Sequence, residues 1–164
     1  MGPVATLPIF RSNYEQTMTI DFERARRNMV DQQIRPWDVT DQRVLDAIAA
    51  SPREDYVPAQ YRTLAFVDMN IPLGHGQVMM QPNLEARLTQ ALAIEPDDKI
   101  LEVGTGSGYV TSLLAKLGRH VTSVEIFPDF TTQAAQKLAA HGIHNVTLEV
   151  GDAARGWARS APYD

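Results

Sequence analysis

Residues 99–117, KILEVGTGSGYVTSLLAKL, constrain this chain more than any other stretch. Residues 99–103 are a short apolar run between Asp97-Asp98 and glycine, the pattern of a strand buried on both faces in a parallel sheet. Gly104, Gly106 and Gly108 follow at once, and Val110, Leu113, Leu114 and Leu117 then recur at helical spacing. The glycines therefore sit on a strand-to-helix turn. There a missing Cβ lets a ligand approach the backbone, and the first N–H groups of the helix have no partner within it.

Dinucleotide-binding folds use the same device, and a glycine turn with no ligand is the plainer alternative. Two details narrow the field. The dinucleotide fingerprint places its third glycine three residues after the second, where this chain has Tyr109. Glu102 stands two residues before the first glycine, where its charge repels a pyrophosphate and suits a ligand carrying an ammonium and a sulfonium. The string E-V-G-T-G-S-G resembles the first motif of S-adenosyl-L-methionine-dependent methyltransferases.

Beyond residue 117 the pattern alternates. Residues 120–125 read as a second strand, and residues 128–140 as a helix with Pro128 at its first position and Gly142 past its end. Residues 145–150 form a third strand, followed by Gly151-Asp152-Ala153. Such alternation calls for a parallel sheet with right-handed crossovers and a ligand at the carboxyl ends of the strands. Glu125 ends the second strand, where these folds hold a ribose by its two hydroxyls, and Asp152 ends the third. Three carboxylates at three neighbouring strand tips outline a site.

Upstream, residues 21–34 predict an amphipathic helix with Phe22, Ala25, Met29 and Val30 on one side and Arg24, Arg26 and Arg27 on a solvated face. Arg35-Pro36-Trp37 breaks it. Thr40 is the expected N-cap of a second helix over residues 41–50, buried through Val44, Leu45 and Ile48. Residues 53–62 read as a connector with at most one helical turn. The Pro- and Gly-containing residues 66–80 read as a binding loop, in which His75 is a structural residue. Residues 83–92 then form a helix with Leu84, Leu88 and Leu92 on one face.

A net charge of −5 with no basic stripe argues against nucleic acid as a partner. No run approaches the roughly 20 apolar residues of a membrane span, so no membrane partner is expected. The absence of cysteine excludes disulfides, thiolate metal sites and thiol nucleophiles, and is simplest in a cytoplasmic protein; no metal site is expected. Residues 1–17 read as a vector-derived or alternative-start extension. Residues 18–94 form a helical segment with the binding loop, and residues 95–164 the N-terminal half of a Rossmann-like domain.

Asp41-x-Arg43-Val-Leu-x-Ala-Ile, Pro52-Arg-Glu-x-Tyr-Val-Pro58, Tyr61-Arg62, Leu73-Gly-x-Gly-Gln77, Gln81-Pro82, the Glu102 motif, Val124-Glu125 and Gly151-Asp152 occur in that order. Over residues 18–164 this resembles the protein-L-isoaspartate O-methyltransferases. The resemblance implies an α/β fold, a Rossmann-like three-layer α/β/α methyltransferase domain with strand order 3-2-1-4-5-7-6. This chain would supply strands 1–3 of that sheet behind an N-terminal helical extension. It also implies that Glu102, Gly104, Thr105, Gly106, Ser107 and Gly108 cradle the methionine part of S-adenosyl-L-methionine. Glu125 and Ile126 would meet the ribose, and Asp152 and Ala153 the adenine. Gln77, Val78, Met79 and Met80 would line the junction of cofactor and substrate. The implied substrate is an isoaspartyl residue of a damaged protein, methylated on its side-branch carboxylate as the first step of repair. That acceptor is ionised at neutral pH and needs no general base.

The chain departs from the family twice. Where the family has Thr-Ile-Ser, it has Val78-Met79-Met80, so a thioether stands where a hydroxyl would donate to a carboxylate. No catalytic residue is assigned, and the alternative reading is an S-adenosyl-L-methionine-binding relative with an altered acceptor or no activity. Pro162-Tyr163-Asp164 resembles the lead-in to a fourth strand. The expectation is a fragment whose first strand is an open edge, or a sheet completed by a second copy or another chain.

Overall fold

A computed structural model describes residues 20–164, so the expectation for residues 1–17 lies outside the described residues. The order is α1 (Phe22–Met29), α2 (Gln42–Ala49), β1 (Ile71–Gly74), β2 (Gln77–Met79), α3 (Pro82–Ala91), β3 (Lys99–Val103), α4 (Tyr109–Leu117), β4 (His120–Glu125), α5 (Pro128–Ala140) and β5 (Val146–Val150).

In α1, Met29 buries as its spacing requires, while Phe22 and Ala25 pack at the border of the core. The helix widens into a π turn over Val30–Ile34, tightens to a 3₁₀ turn over Arg35–Trp37 and stops at Asp38, whose φ is 61°. Arg26 is not solvated: it reaches Glu54 at 2.6 Å and the Ala49 carbonyl at 3.2 Å. Asp41, not Thr40, caps α2, its carboxylate accepting from the Arg43 backbone N–H at 2.8 Å. Two short 3₁₀ turns, Arg53–Asp55 and Ala59–Leu64, replace the single turn expected in the connector.

Residues 66–80 contain a hairpin where a loop was expected. Ile71 pairs with Met79 across a turn at His75 and Gly76, whose φ values are 51° and 69°. Pro72 argued against a strand, but a two-stranded ribbon has only edge strands, and those tolerate proline.

The three leucines share one face of α3, and that face is the outer one. Asn83, Glu85, Ala86 and Thr89 are buried, while Leu84, Leu88 and Leu92 are 42%, 48% and 58% exposed. The reason is Arg53, wholly buried beneath the helix, which draws the carboxylate of Glu85 inward as its counter-ion.

The main sheet has the order β3-β4-β5, all parallel, with Glu102 opposite Ser123 and Glu125 opposite Val150. Helices α4 and α5 cover the face that carries Ile100, Val121, Val146 and Leu148, through Leu113, Leu114 and Leu138. Ser160 and Tyr163 lie beside Thr122 and Thr147 on the other face, and the Trp157 ring lies against Gly151. Among the described residues β3 is an edge strand, met only at Lys99 by two hydrogen bonds with Asp164, each 3.0 Å. It is therefore not buried on both faces as the apolar run suggested: Val103 is 60% exposed. β5 starts one residue later than expected; the Asn145 carbonyl still accepts from the Val121 N–H at 3.0 Å, while its side chain donates to the Ala115 carbonyl at 2.8 Å. No helix among the described residues is long and apolar enough to cross a membrane.

Candidate functional site

The carboxyl ends of β3, β4 and β5 open onto two joined clefts of about 380 and 220 Å³, which share Leu73, Val78, Val103, Gly104 and Gly106. The larger also takes in Gln77, Glu125, Ile126, Asp152 and Ala153. The smaller is closed by Met79, Met80, Glu102, Thr105 and Ser107. Every residue singled out from the sequence lies on one cleft or the other except Gly108. That glycine faces α5 instead: at φ 84°, a Cβ placed on it would stand 3.0 Å from the Ala134 Cβ. Its part is to start α4 and let two helices approach.

Glu102 is 9% exposed. Its Oε2 accepts from Thr111 Oγ1 and Ser123 Oγ, both at 2.5 Å. Its Oε1 receives no hydrogen bond from the described residues, and the side chain lines the smaller cleft. Burial pushes this carboxyl up to about 7, against the pull of the Ser123 and Thr111 hydroxyls, and the nearby Glu125 charge adds to the rise.

Glu125 is held from two sides. Oε2 accepts from the Gly106 N–H at 2.9 Å, and Oε1 from the Phe127 N–H at 3.0 Å. The carboxylate thereby ties the glycine turn after β3 to the end of β4; each oxygen can still accept a further hydrogen bond, and the side chain lines the larger cleft. Asp152 is exposed at the tip of β5, its Oδ1 accepting from the Ala154 N–H at 2.9 Å. The Met80 carbonyl accepts from Arg53 at 2.7 Å, which fixes the chain where the smaller cleft meets α3.

Sequence reasoning missed the apolar walls and one acid. Leu73 crosses over the turn, with its Cδ1 3.3 Å from a Cβ placed on Gly106. Phe127 and Phe130 flank the larger cleft, and Glu85 and Val110 the smaller. Phe127 was signalled by its place next to Ile126, at the strand end before a proline. Nothing local signals Glu85, whose inward turn depends on an arginine 32 residues away in sequence. His75 is structural as expected: its ring stacks on Phe127 at 4.3 Å, and Nε2 lies 3.0 Å from Asp129. The hairpin turn is thus fastened across the cleft's rim.

Neither cleft is lined by lysine or arginine, while Glu85, Glu102, Glu125 and Asp152 all face them. These carboxylates accept from hydroxyls and an ammonium and disfavour a pyrophosphate. A parallel sheet whose first strand runs through an acid into a glycine turn, with the cleft at the strand tips, defines a Rossmann-like fold of the methyltransferase type.

The comparisons with known proteins give the family. The description protein-L-isoaspartate(D-aspartate) O-methyltransferase matches residues 24–164. The protein-L-isoaspartate O-methyltransferase of Gloeobacter violaceus is 43% identical over 83% of this chain and 66% of its own. That of Myxococcus xanthus is 45% identical over 77% of this chain and 59% of its own. A solved protein-L-isoaspartate O-methyltransferase superposes with a TM-score of 0.70 at 24% identity, over 85% of this chain and 46% of that one. The chain belongs to the protein-L-isoaspartate O-methyltransferase family. It spans between 58% and 66% of the length of the first curated relatives it matches.

Proposed function

We propose that this chain binds S-adenosyl-L-methionine at the three strand tips and serves methylation of the side-branch carboxylate of L-isoaspartyl residues in damaged proteins. The observation that carries the reading is the cleft beside the glycine turn, lined by carboxylates, backbone and apolar side chains and by no lysine or arginine. Family membership supports the acceptor. A related structure, described as a protein-L-isoaspartate O-methyltransferase from Plasmodium falciparum, holds S-adenosyl-L-homocysteine; it has a TM-score of 0.59 at 18% identity, over 81% of this chain and 63% of that one.

When bound, S-adenosyl-L-methionine supplies a methyl group activated by its sulfonium, so a C–O bond to the acceptor forms as the S–C bond breaks. In this reading Gly104, Thr105, Gly106 and Ser107 form the methionine cradle, with Gly108 starting α4 behind it, and Glu102 Oε1 is the counter-charge of its ammonium. Glu125 offers its two remaining lone pairs to the ribose hydroxyls beside Ile126. Asp152 and Ala153 take the adenine. Gln77, Val78, Met79 and Met80 stand where cofactor and acceptor meet. The acceptor carboxylate has an ordinary pKa near 4 and attacks without a base. What the residues contribute is alignment and the exclusion of water, through Leu73, Val78 and Val110.

The alternative weighed from sequence, a binding relative without turnover, is not favoured, since the curated relatives are described as the enzyme. The reading also carries a cytoplasmic location, supported by the cysteine-free sequence. It further carries a second copy or another chain along β3, supported by the open edge and the exposed Val103.

Calorimetric titration with S-adenosyl-L-methionine and with S-adenosyl-L-homocysteine tests the cofactor. Binding is expected, with loss in Gly106→Val, where a branched residue at φ 53° is strained and meets Leu73. Absence of heat with both compounds overturns the reading. Methyl ester formation on an isoaspartyl peptide tests the acceptor. A stable monomer with a cooperative melt at low concentration counts against a chain added along β3.

A further inference from the structure

Thr105, Thr111 and Ser123 are each at most 4% exposed; the hydroxyls of Thr111 and Ser123 converge on Glu102 Oε2, and that of Thr105 meets Ser123. A hydroxyl carries a single hydrogen. Ser123 spends its hydrogen on Glu102 Oε2, so in the 2.6 Å contact between Thr105 and Ser123 it is Thr105 that donates. The chain therefore has a direction, from Thr105 in the glycine turn to Ser123 in β4 to Glu102 in β3. Thr111 adds a second donor from α4. Three segments meet at one carboxylate oxygen, a fourth is tied to it through Ser123, and the other oxygen is left to the smaller cleft.

We propose that Thr111 and Ser123 are positioning residues, which hold Glu102 Oε2 so that Oε1 faces the cleft and the site takes a cation. The inference rests on the reading that an ammonium-bearing ligand binds there. Without the two donors, Oε2 would turn to other partners and the buried carboxyl would hold its proton to higher pH. The other charged groups around Glu102 do not supply that stabilisation. Glu125 at the end of β4 and Glu85 on α3 are both acids, and Arg53 behind Glu85 is already bound to Glu85, Met80 and Ala65. Tyr109 on α4 is buried and neutral, pushed up by desolvation. The ionised state thus depends on two uncharged hydroxyls.

The experiment follows the Glu102 carboxyl carbon by NMR through a pH titration of the full chain, in the unmodified protein, Thr111→Val and Ser123→Ala. The same three proteins are titrated calorimetrically with S-adenosyl-L-homocysteine at pH 6 and pH 9. The unmodified group is expected to titrate near pH 7. Each variant is expected to move that midpoint up by about one pH unit, as loss of a hydrogen bond to a charged group implies. Affinity for the probe then falls about tenfold at pH 6 and stays within about twofold at pH 9. A Glu102 midpoint that the variants leave unmoved, or an affinity lost equally at both pH values, overturns the proposal. If the midpoint moves but no protein binds the probe, the positioning of Glu102 stands and the cofactor reading falls. Glu102→Gln, which should bind the probe weakly and without pH dependence, separates the two.

Discussion

The Arg53 guanidinium and the Glu85 carboxylate form an ion pair with 0% and 2% of their side chains exposed, and it lies directly behind the smaller cleft. Arg53 also donates to the carbonyls of Ala65 and Met80, both at 2.7 Å, and its guanidinium sits 4.7 Å from the centre of the Tyr109 ring. One buried cation thus joins the connector, the end of the hairpin, α3 and α4. Removing one partner leaves the other charge buried and unpaired, which costs about 3–5 kcal/mol. Arg53→Met and Glu85→Leu are each expected to lower the unfolding free energy measured by urea denaturation by that much. The double substitution should recover a large part, because neither charge then remains.

Glu102 gives the pH dependence of stability a definite sign. Its folded carboxyl is raised from 4.5 to about 7, so between those values the native state binds more protons than the unfolded chain. Stability from this group is therefore fully present below about pH 4.5 and is lost as pH rises through 7. At about 1.4 kcal/mol per pKa unit the loss is about 3.5 kcal/mol. Glu102→Gln should flatten the fall in unfolding free energy between pH 5 and pH 8. An identical slope in both proteins would contradict the assignment.

His75 and Asp129 fasten the hairpin turn across the larger cleft. The His75 contact holds the Asp129 carboxyl below its ordinary range, and the stacked Phe127 ring lines the cleft. His75→Ala is expected to raise amide hydrogen exchange over residues 71–79. It should also weaken S-adenosyl-L-homocysteine binding about two- to tenfold, the range of a lost aromatic pair. Unchanged exchange would mean that the hairpin is held from elsewhere.

Met80 is placed by its backbone, through the Arg53 bond, and its side chain lines the smaller cleft. Met80→Ser keeps that backbone anchor and adds a donor for the acceptor carboxylate. A hydrogen bond to a charged group is worth roughly 1.5 kcal/mol or more, so methyl ester formation on an isoaspartyl peptide should rise about tenfold. No rise would show that a hydroxyl at this position is not what limits transfer.

The sequence by itself determined the parallel sheet, the strand-to-helix glycine turn and the acids at the strand tips. These features are local: a run of five apolar residues, three glycines at alternate positions and a proline before a helix specify their backbone whatever surrounds them. It determined the family by the same means, since the motifs keep their order. Only the tertiary structure decided that α3 turns its leucines outward and Glu85 inward, because that choice belongs to a guanidinium far away in sequence. It alone decided that residues 71–79 pair as a ribbon, that Gly108 serves helix packing, and that one oxygen of Glu102 is held by two hydroxyls. The physical reason is common to all of these. A hydropathy pattern records what one segment prefers to bury, whereas a buried charge or hydroxyl must find its partner wherever the fold places it.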